Sequence, residues 1–187
     1  MDTQALTDEK LMEAIAGDDR SALAELVRRH QDKAIALAFR TLGRWDLAED
    51  VGQEAFLRVY RASSRYKPEA KFSTWFYRIV VNLCLDETRR EKRTSTDSGG
   101  ILSQFSATSD TNPEEIHQKQ EKKQAVWQAL GRLNERERIA VVLHRFEGFS
   151  HQQAAELTGW SPSAVESLLV RAYQKLRQEL ADFKENS

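Results

Sequence analysis

Apolar residues return every three to four positions from Leu11 to about Arg93, and again from Leu133 to Leu176. The stretch between them, TSTDSGGILSQFSATSDTNP, has no sustained period. A spacing near 3.6 puts such residues on one side of an α-helix. No segment alternates apolar and polar side chains between hairpin turns, as a half-buried strand would. The pattern predicts an all-α protein of two small helical domains, residues 1–93 and 113–187. Residues 94–112, rich in Ser, Thr, Gly and Asp, read as a flexible linker between them.

In the first domain, Leu23, Leu26, Val27, Ala34, Leu37 and Ala38 share one face of a scaffold helix. A second helix is expected to start at Asp46, a cap with Glu49 three residues on, and to turn Val51, Ala55 and Val59 inward. A third is expected to be capped by Ser73, with Phe76, Ile79, Val80 and Leu83 at i, i+3, i+4 and i+7. In the second domain, Asn112, Pro113 and Glu115 suit one helix start. Asn134 with Glu137 suits another, ahead of Ile139, Val142, Leu143 and Phe146.

The segment from Phe149 to Arg177 carries a tighter signature. Ser150 and Gln153 form a capping box, Gly159 offers the left-handed turn after Ala155, and Val165 follows to anchor a second helix on the first. Ser161 and Pro162 suit the N-cap and first position of that helix, whose apolar repeat is Val165, Leu169, Ala172, Tyr173 and Leu176. This is helix-turn-helix spacing, which an ordinary helical hairpin shares in part. The opposite face, with Ser161 at its start, holds Ser163, Ser167, Val170 and Gln174 flanked by Glu166 and Arg171. A recognition helix presents such a face to the major groove.

Composition narrows the classes. The chain has 187 residues, 40% hydrophobic and 30% charged, which supports real cores. No apolar run approaches the roughly 20 residues of a membrane span, so no membrane insertion is expected. The N-terminus, MDTQALTDEKLMEA, is polar and acidic where a secretory signal is basic and then apolar, and a cytoplasmic protein is expected. The one cysteine, Cys84, falls among Ile79, Val80 and Leu83, which suits core packing. No cofactor is implied, and His30, His117, His144 and His151 form no close ligand pair in sequence, with each other or with Cys84.

The net charge of -1 hides an uneven distribution. Residues 1–29 hold seven acidic and four basic side chains, whereas residues 65–93 hold Arg65, Lys67, Lys71, Arg78, Arg89, Arg90, Lys92 and Arg93 against four acidic ones. That surplus can steer a polyanion, although a basic run also serves as a plain solvated face. On the third helix, Trp75, Arg78, Asn82, Asp86 and Arg89 share the stripe opposite the apolar one. Binders of single-stranded DNA set aromatic platforms beside cationic and amide groups in this way, and a tryptophan packed at a domain edge is the plainer reading. The preceding loop adds Arg65, Tyr66, Lys67 and Lys71 around Pro68. On the second helix, Glu49, Asp50, Gln53, Glu54 and Arg58 make a mostly acidic surface beside Phe56 and Tyr60. It suits a partner's basic helices, or simply water.

AEDVGQEAFLRVY, KFSTWFYRIVVNLCLDETRR and the Leu133–Arg177 segment together resemble the extracytoplasmic-function (ECF) subgroup of the sigma-70 family, in order and spacing over almost the whole chain. The resemblance implies a transcription initiation factor without catalytic residues. Its first domain, region 2, would bind the clamp helices of core RNA polymerase and read the -10 element. Its second, region 4, would bind the -35 element and the polymerase flap. By motif position, Asp50, Gln53, Glu54 and Phe56 would belong to the polymerase-binding helix. Arg65, Lys67, Lys71, Trp75, Arg78, Asn82 and Arg89 would serve the -10 element. Ser161, Ser163, Glu166, Ser167, Val170 and Arg171 would face the -35 duplex. The resemblance also suggests control by an anti-sigma factor.

Three departures from the family pattern stand out. Gly52 takes a helical position that usually carries a side chain, Asn134 replaces a proline, and Glu166 and Leu168 stand where basic or polar residues are common in the recognition helix. A glutamate can accept from a cytosine amino group but repels phosphate, which leaves base preference at -35 open. A stand-alone helix-turn-helix repressor would also account for the C-terminal half, yet it needs a dimerisation helix that the sequence does not display. A metal nuclease lacks a ligand cluster in the sequence.

Overall fold

The computed structural model describes residues 3–94 and 124–185. The contacts divide the chain into two compact units, Met1–Thr94 and Ser95–Ser187. Thr94, expected in the linker, still belongs to a helix. The remainder of the expected linker, 95–112, and the helix start at Asn112, Pro113 and Glu115 lie outside the described residues.

The N-terminal unit contains α1 (Asp8–Ala16), α2 (Arg20–Leu42), α3 (Trp45–Ala62) and α4 (Phe72–Thr94), with 3-10 turns at Thr3–Ala5 and Ser63–Arg65. The Thr7 hydroxyl caps α1 by accepting from the Lys10 amide, and the Asp19 carboxylate caps α2 by accepting from Ser21 and Ala22. α2 ends at Gly43, whose φ of 73° is the left-handed conformation that a side chain disfavours. Leu11 and Met12 of α1, Leu26 and Leu37 of α2, Val59 of α3, and Phe72, Phe76 and Val80 of α4 are all buried and form one core. Gly52 has a packing role that the sequence left open. A Cβ there would lie 2.9 Å from Ile35 Cγ1, so glycine permits α2 and α3 to approach.

Two expected helix starts are corrected. α3 begins at Trp45 and has no side-chain cap; Asp46 sits in its first turn and binds the Arg44 guanidinium, with Arg44 Nε 3.2 Å from Asp46 Oδ1. There its charge faces the positive end of the helix dipole. α4 begins at Phe72, which places Ser73 inside the first turn. The Lys71 carbonyl accepts from Thr74, and the Glu9 carboxylate of α1 accepts from the Phe72 amide at 3.0 Å.

In the C-terminal unit, residues 124–131 form α5, followed by α6 (Glu135–Val141), a π turn (Val142–Phe146), α7 (His151–Thr158) and α8 (Pro162–Glu185). The expected capping boxes are both present, Asn134 with Glu137 and Ser150 with Gln153. Gly159 ends α7 with φ 72°, and Ser161 Oγ accepts from the Ala164 amide to cap α8. Ile139, Val142, Leu143, Ala155, Leu157, Val165, Leu169 and Ala172 are buried between these helices. Phe146 departs from the expected inward stripe and is 40% exposed. The π turn adds a residue to the helical period, with the Glu147 amide donating to the Val142 carbonyl, and so rotates Phe146 outward onto Trp127, 6.2 Å away.

Candidate nucleic-acid interface

The first candidate surface is built on the start of α4. Phe72 is fully buried and surrounded by His30 at 5.2 Å, Phe76 at 5.6 Å, Trp75 at 5.8 Å and Tyr66 at 6.3 Å between ring centroids. Tyr66 lies on Trp75 at 5.0 Å, which ties the loop to the helix. The Tyr66 hydroxyl is buried with no hydrogen-bond partner among the described residues, and burial, then the nearby Glu9 and Asp8 charges, raises its pKa. Around this aromatic seat Arg65, Lys67 and Lys71 are exposed.

Along α4 the two stripes separate much as the spacing predicts. Phe76, Val80, Leu83 and Cys84 are buried and Ile79 is half-buried, whereas Arg78, Asn82, Asp86 and Arg89 are exposed and Trp75 half-buried. Arg89 pairs with Asp86 at 3.3 Å, a surface ion pair that leaves most of the guanidinium in water. Burial pushes the Cys84 thiol up to about 12, consistent with a packing role.

What aims this stripe comes from α1 and α2, which the sequence did not connect to it. Glu9 holds the first amide of α4, and that hydrogen bond lowers its pKa. Next to it, His30 Nε2 lies 2.8 Å from Asp8 Oδ2, and Arg29 reaches Asp8 Oδ1 at 2.9 Å and the Leu6 carbonyl at 2.8 Å. Glu25, 5% exposed, accepts from both Arg28 and Arg29, and these bonds lower its pKa to about 2. No local motif marks Glu9; it acts on an amide 63 residues away.

The second surface lies on α3. Asp50 and Gln53 are exposed and Glu54 is half-buried, with Arg58 bonded to Glu54 at 3.0 Å. Phe56 is a correction. It is 8% exposed and packs on Phe76 at 5.0 Å, because its position on α3 faces the core beside Ala55 and Val59. It reaches the surface only as part of the floor of a groove of about 690 Å³, shared with Leu23, Val27, Leu57 and Tyr60.

In the C-terminal unit the polar stripe of α8 is exposed as its spacing predicts. Ser161, Ser163, Glu166, Ser167, Val170, Arg171 and Gln174 are all exposed on one side of α8. Leu168, noted as a departure from the family pattern, is buried. It is 4% exposed and joins Val165 and Leu169 in the core, which accounts for an apolar residue at a position where basic or polar ones are common; Tyr173, expected inward, is 38% exposed. The turn is braced from α6 by the Arg136 guanidinium, 4.6 Å above the Trp160 ring. His144 and His151, which looked unrelated in the sequence, come together with ring centroids 5.0 Å apart. His144 Nδ1 lies 2.9 Å from the Phe149 carbonyl. Among the described residues no group of three or more His, Cys, Asp and Glu is arranged to hold a metal ion, and no helix is long and apolar enough to cross a membrane.

Comparison with known proteins matches both units. The Sigma-70 region 2 family covers residues 26–94 and the Sigma-70, region 4 family covers residues 123–176. The ECF RNA polymerase sigma-E factor of Escherichia coli is 31% identical over 93% of this chain and 94% of its own length. The ECF RNA polymerase sigma factor SigE of Mycolicibacterium smegmatis is 36% identical over 84% of this chain, which spans 61% of that relative's length. Among solved structures, CnrH in complex with the cytosolic domain of CnrY is 28% identical with a TM-score of 0.63, covering 94% of this chain and 97% of its own. The fold is also that of the sigma factor RpoE from Bartonella quintana, solved with the anti-sigma factor NepR, at 21% identity and a TM-score of 0.67, covering 84% of this chain and 96% of its own. With both regions matched and a relative aligned along nearly its full length, the chain belongs to the ECF group of the sigma-70 family of RNA polymerase sigma factors.

Proposed function

We infer that the protein is a transcription initiation factor that binds core RNA polymerase, brings it to promoters through a -10 and a -35 element, and is restrained by an anti-sigma factor. The observation that carries this reading is one of exposure. In the unit matched to region 2, Arg78, Asn82 and Arg89 stand outside a closed core beside the Tyr66–Trp75 pair. In the unit matched to region 4, Ser163, Ser167, Val170 and Arg171 stand outside another.

In this reading α8 lies in the -35 major groove while phosphate contacts set its register. The surface around Trp75, Arg78, Asn82 and Arg89, with Arg65, Lys67 and Lys71, holds a -10 base that has left the stack. Unstacking costs a few kcal/mol and one aromatic contact returns about 1 to 3. Polymerase contacts supply the rest, through Asp50, Gln53 and Glu54 on α3, with Phe56 supporting that helix from below. The reaction chemistry belongs to the polymerase, and the protein works where the polymerase does, in the cytoplasm. The anti-sigma partner is supported by the complex in which the sigma factor RpoE of Bartonella quintana was solved, with the anti-sigma factor NepR. The repressor alternative is not favoured, since it accounts for region 4 alone.

Run-off transcription on fragmented genomic DNA, with core polymerase with and without this protein, tests the reading. New discrete starts are expected, and Trp75→Ala and Asn82→Ala should weaken them most where the -10 element is intact. A protein that folds yet neither binds core nor creates starts would overturn it. Tight promoter binding without polymerase at physiological salt would count against the proposed division of energy.

A further inference from the structure

The recognition helix is held at its midpoint by an acidic residue from another helix. Glu137, on α6, is 1% exposed, yet its carboxylate meets two cations of α8: Lys175 Nζ lies 2.7 Å from Oε2, and Arg171 Nε lies 3.7 Å from Oε1. The same carboxylate accepts from the Asn134 amide at 3.2 Å, and the Glu137 amide donates to Asn134 Oδ1 at 2.9 Å, so the capping box fixes where the charge sits. Arg171 and Lys175 are one helical turn apart, and their side chains are 55% and 46% exposed. With Gln174, Arg177 and Gln178 they line a shallow groove along α8, on the helix that carries the exposed Ser167 and Val170.

A carboxylate removed from water beneath two half-exposed cations acts in two ways. It restricts their rotamers, because each half-exposed side chain is drawn to a fixed anion. It also offsets part of their charge where screening by salt is weak. We propose that Glu137 is a positioning and specificity-determining residue. It aims Arg171 and Lys175 at the DNA backbone, fixing the register of α8 in the -35 groove, and it moderates their non-specific pull on phosphate. The proposal rests on the reading of α8 as the -35 helix.

The test is Glu137→Gln in the full-length protein assembled with core polymerase. Glutamine keeps the shape and one oxygen to accept from the Asn134 amide and Lys175; it removes the charge and sets an amide NH2 where Oε1 faced Arg171. Circular dichroism and core binding are expected to match the parent protein. Holoenzyme binding to a promoter with a scrambled -35 element should strengthen, and the ratio of intact to scrambled binding should fall roughly three- to tenfold, in the lower part of the range for coupled neighbouring sites. The slope of log K against log salt should steepen by about 1 for each cation released to phosphate. In the Arg171→Ala, Lys175→Ala background, Glu137→Gln should change neither quantity. An unchanged ratio and slope in folded Glu137→Gln, or an equal effect in that background, overturns the proposal. Failure of the parent holoenzyme to prefer the intact -35 element overturns the underlying reading instead.

Discussion

The interface helices of the two units begin in different ways. In the C-terminal unit, α6, α7 and α8 are each capped by a side chain three residues from the amide it holds: Asn134, Ser150 and Ser161. In the N-terminal unit, α3 has no side-chain cap and α4 takes its first amide partner from Glu9 on α1. A local cap fixes a helix boundary before any tertiary structure exists, whereas a remote one forms only after the chain has folded back. The start of α4 is thus a product of the whole N-terminal unit, and that of α8 largely of its own sequence.

The largest expected break in this comparison is Phe72→Ala. Phe72 joins the α4 start to His30, Tyr66 and Trp75, and removing a buried phenylalanine costs about 3 to 5 kcal/mol. Cys84, the protein's single cysteine and 1% exposed, offers a reading of this unit alone, because its thiol reacts only when the unit opens. Labelling of Cys84 should become much faster in Phe72→Ala, while hydrogen exchange in α7 and α8 stays at the parent rate. Equal loosening of both units would show that they do not unfold separately.

Two glycines sharpen the comparison at smaller cost. Gly52→Val puts a branched side chain into the gap beside Ile35 and should cost about 1 to 3 kcal/mol in the N-terminal unit, by overpacking. Gly159→Ala meets no atom within 4 Å, so its cost is the backbone's alone, about 1 to 2 kcal/mol at a φ of 72°. Urea unfolding, read by Cys84 labelling for the first and by amide exchange in α7 for the second, separates the two mechanisms.

The same difference explains what could be read from the sequence. The helix-turn-helix was legible because its signals are short-range: Ser150 to Gln153, Gly159, then Ser161–Pro162. The α4 stripe was legible from its period. The starts of α3 and α4 were not, since Asp46 and Ser73 are good caps by type but the chain entered each helix earlier. Phe56 was assigned from motif position, which ignores which way the helix is rotated; burial at 8% moves it inward. Phe146 was missed because a π turn breaks the 3.6 period. Glu9 and Glu137 have roles that exist only between helices distant in sequence.

Cap removal compares the two modes of initiation directly. Ser150→Ala should cost about 1 kcal/mol and raise exchange only at the first turn of α7. Glu9→Ala removes a comparable bond, yet its effect should spread to the α4 start and the Tyr66–Trp75 seat, and appear as weaker use of a duplex -10 element. If Glu9→Ala alters transcription no more than Ser150→Ala does, remote capping has no functional weight.

The mildest test is acidification, and its sign follows from Glu25. Bonds from Arg28 and Arg29 hold its folded pKa at about 2, below the roughly 4.3 of an unfolded glutamate. Its contribution to stability is therefore complete above about pH 4.5 and is lost as pH falls from there towards 2. Lowered pKa values at Glu9, from the Phe72 amide, and at Asp19, from Ser21, act in the same direction. The urea midpoint, followed by circular dichroism between pH 6 and pH 2.5, should fall on the acid side. Glu25→Gln should lower it at neutral pH and flatten the decline, so that the two curves converge at the acid end. Parallel curves would mean that Arg28 and Arg29 gain nothing from Glu25 in the fold. The ordering of α1 against α2 would then rest on Asp8, His30 and the carbonyls held by Arg29.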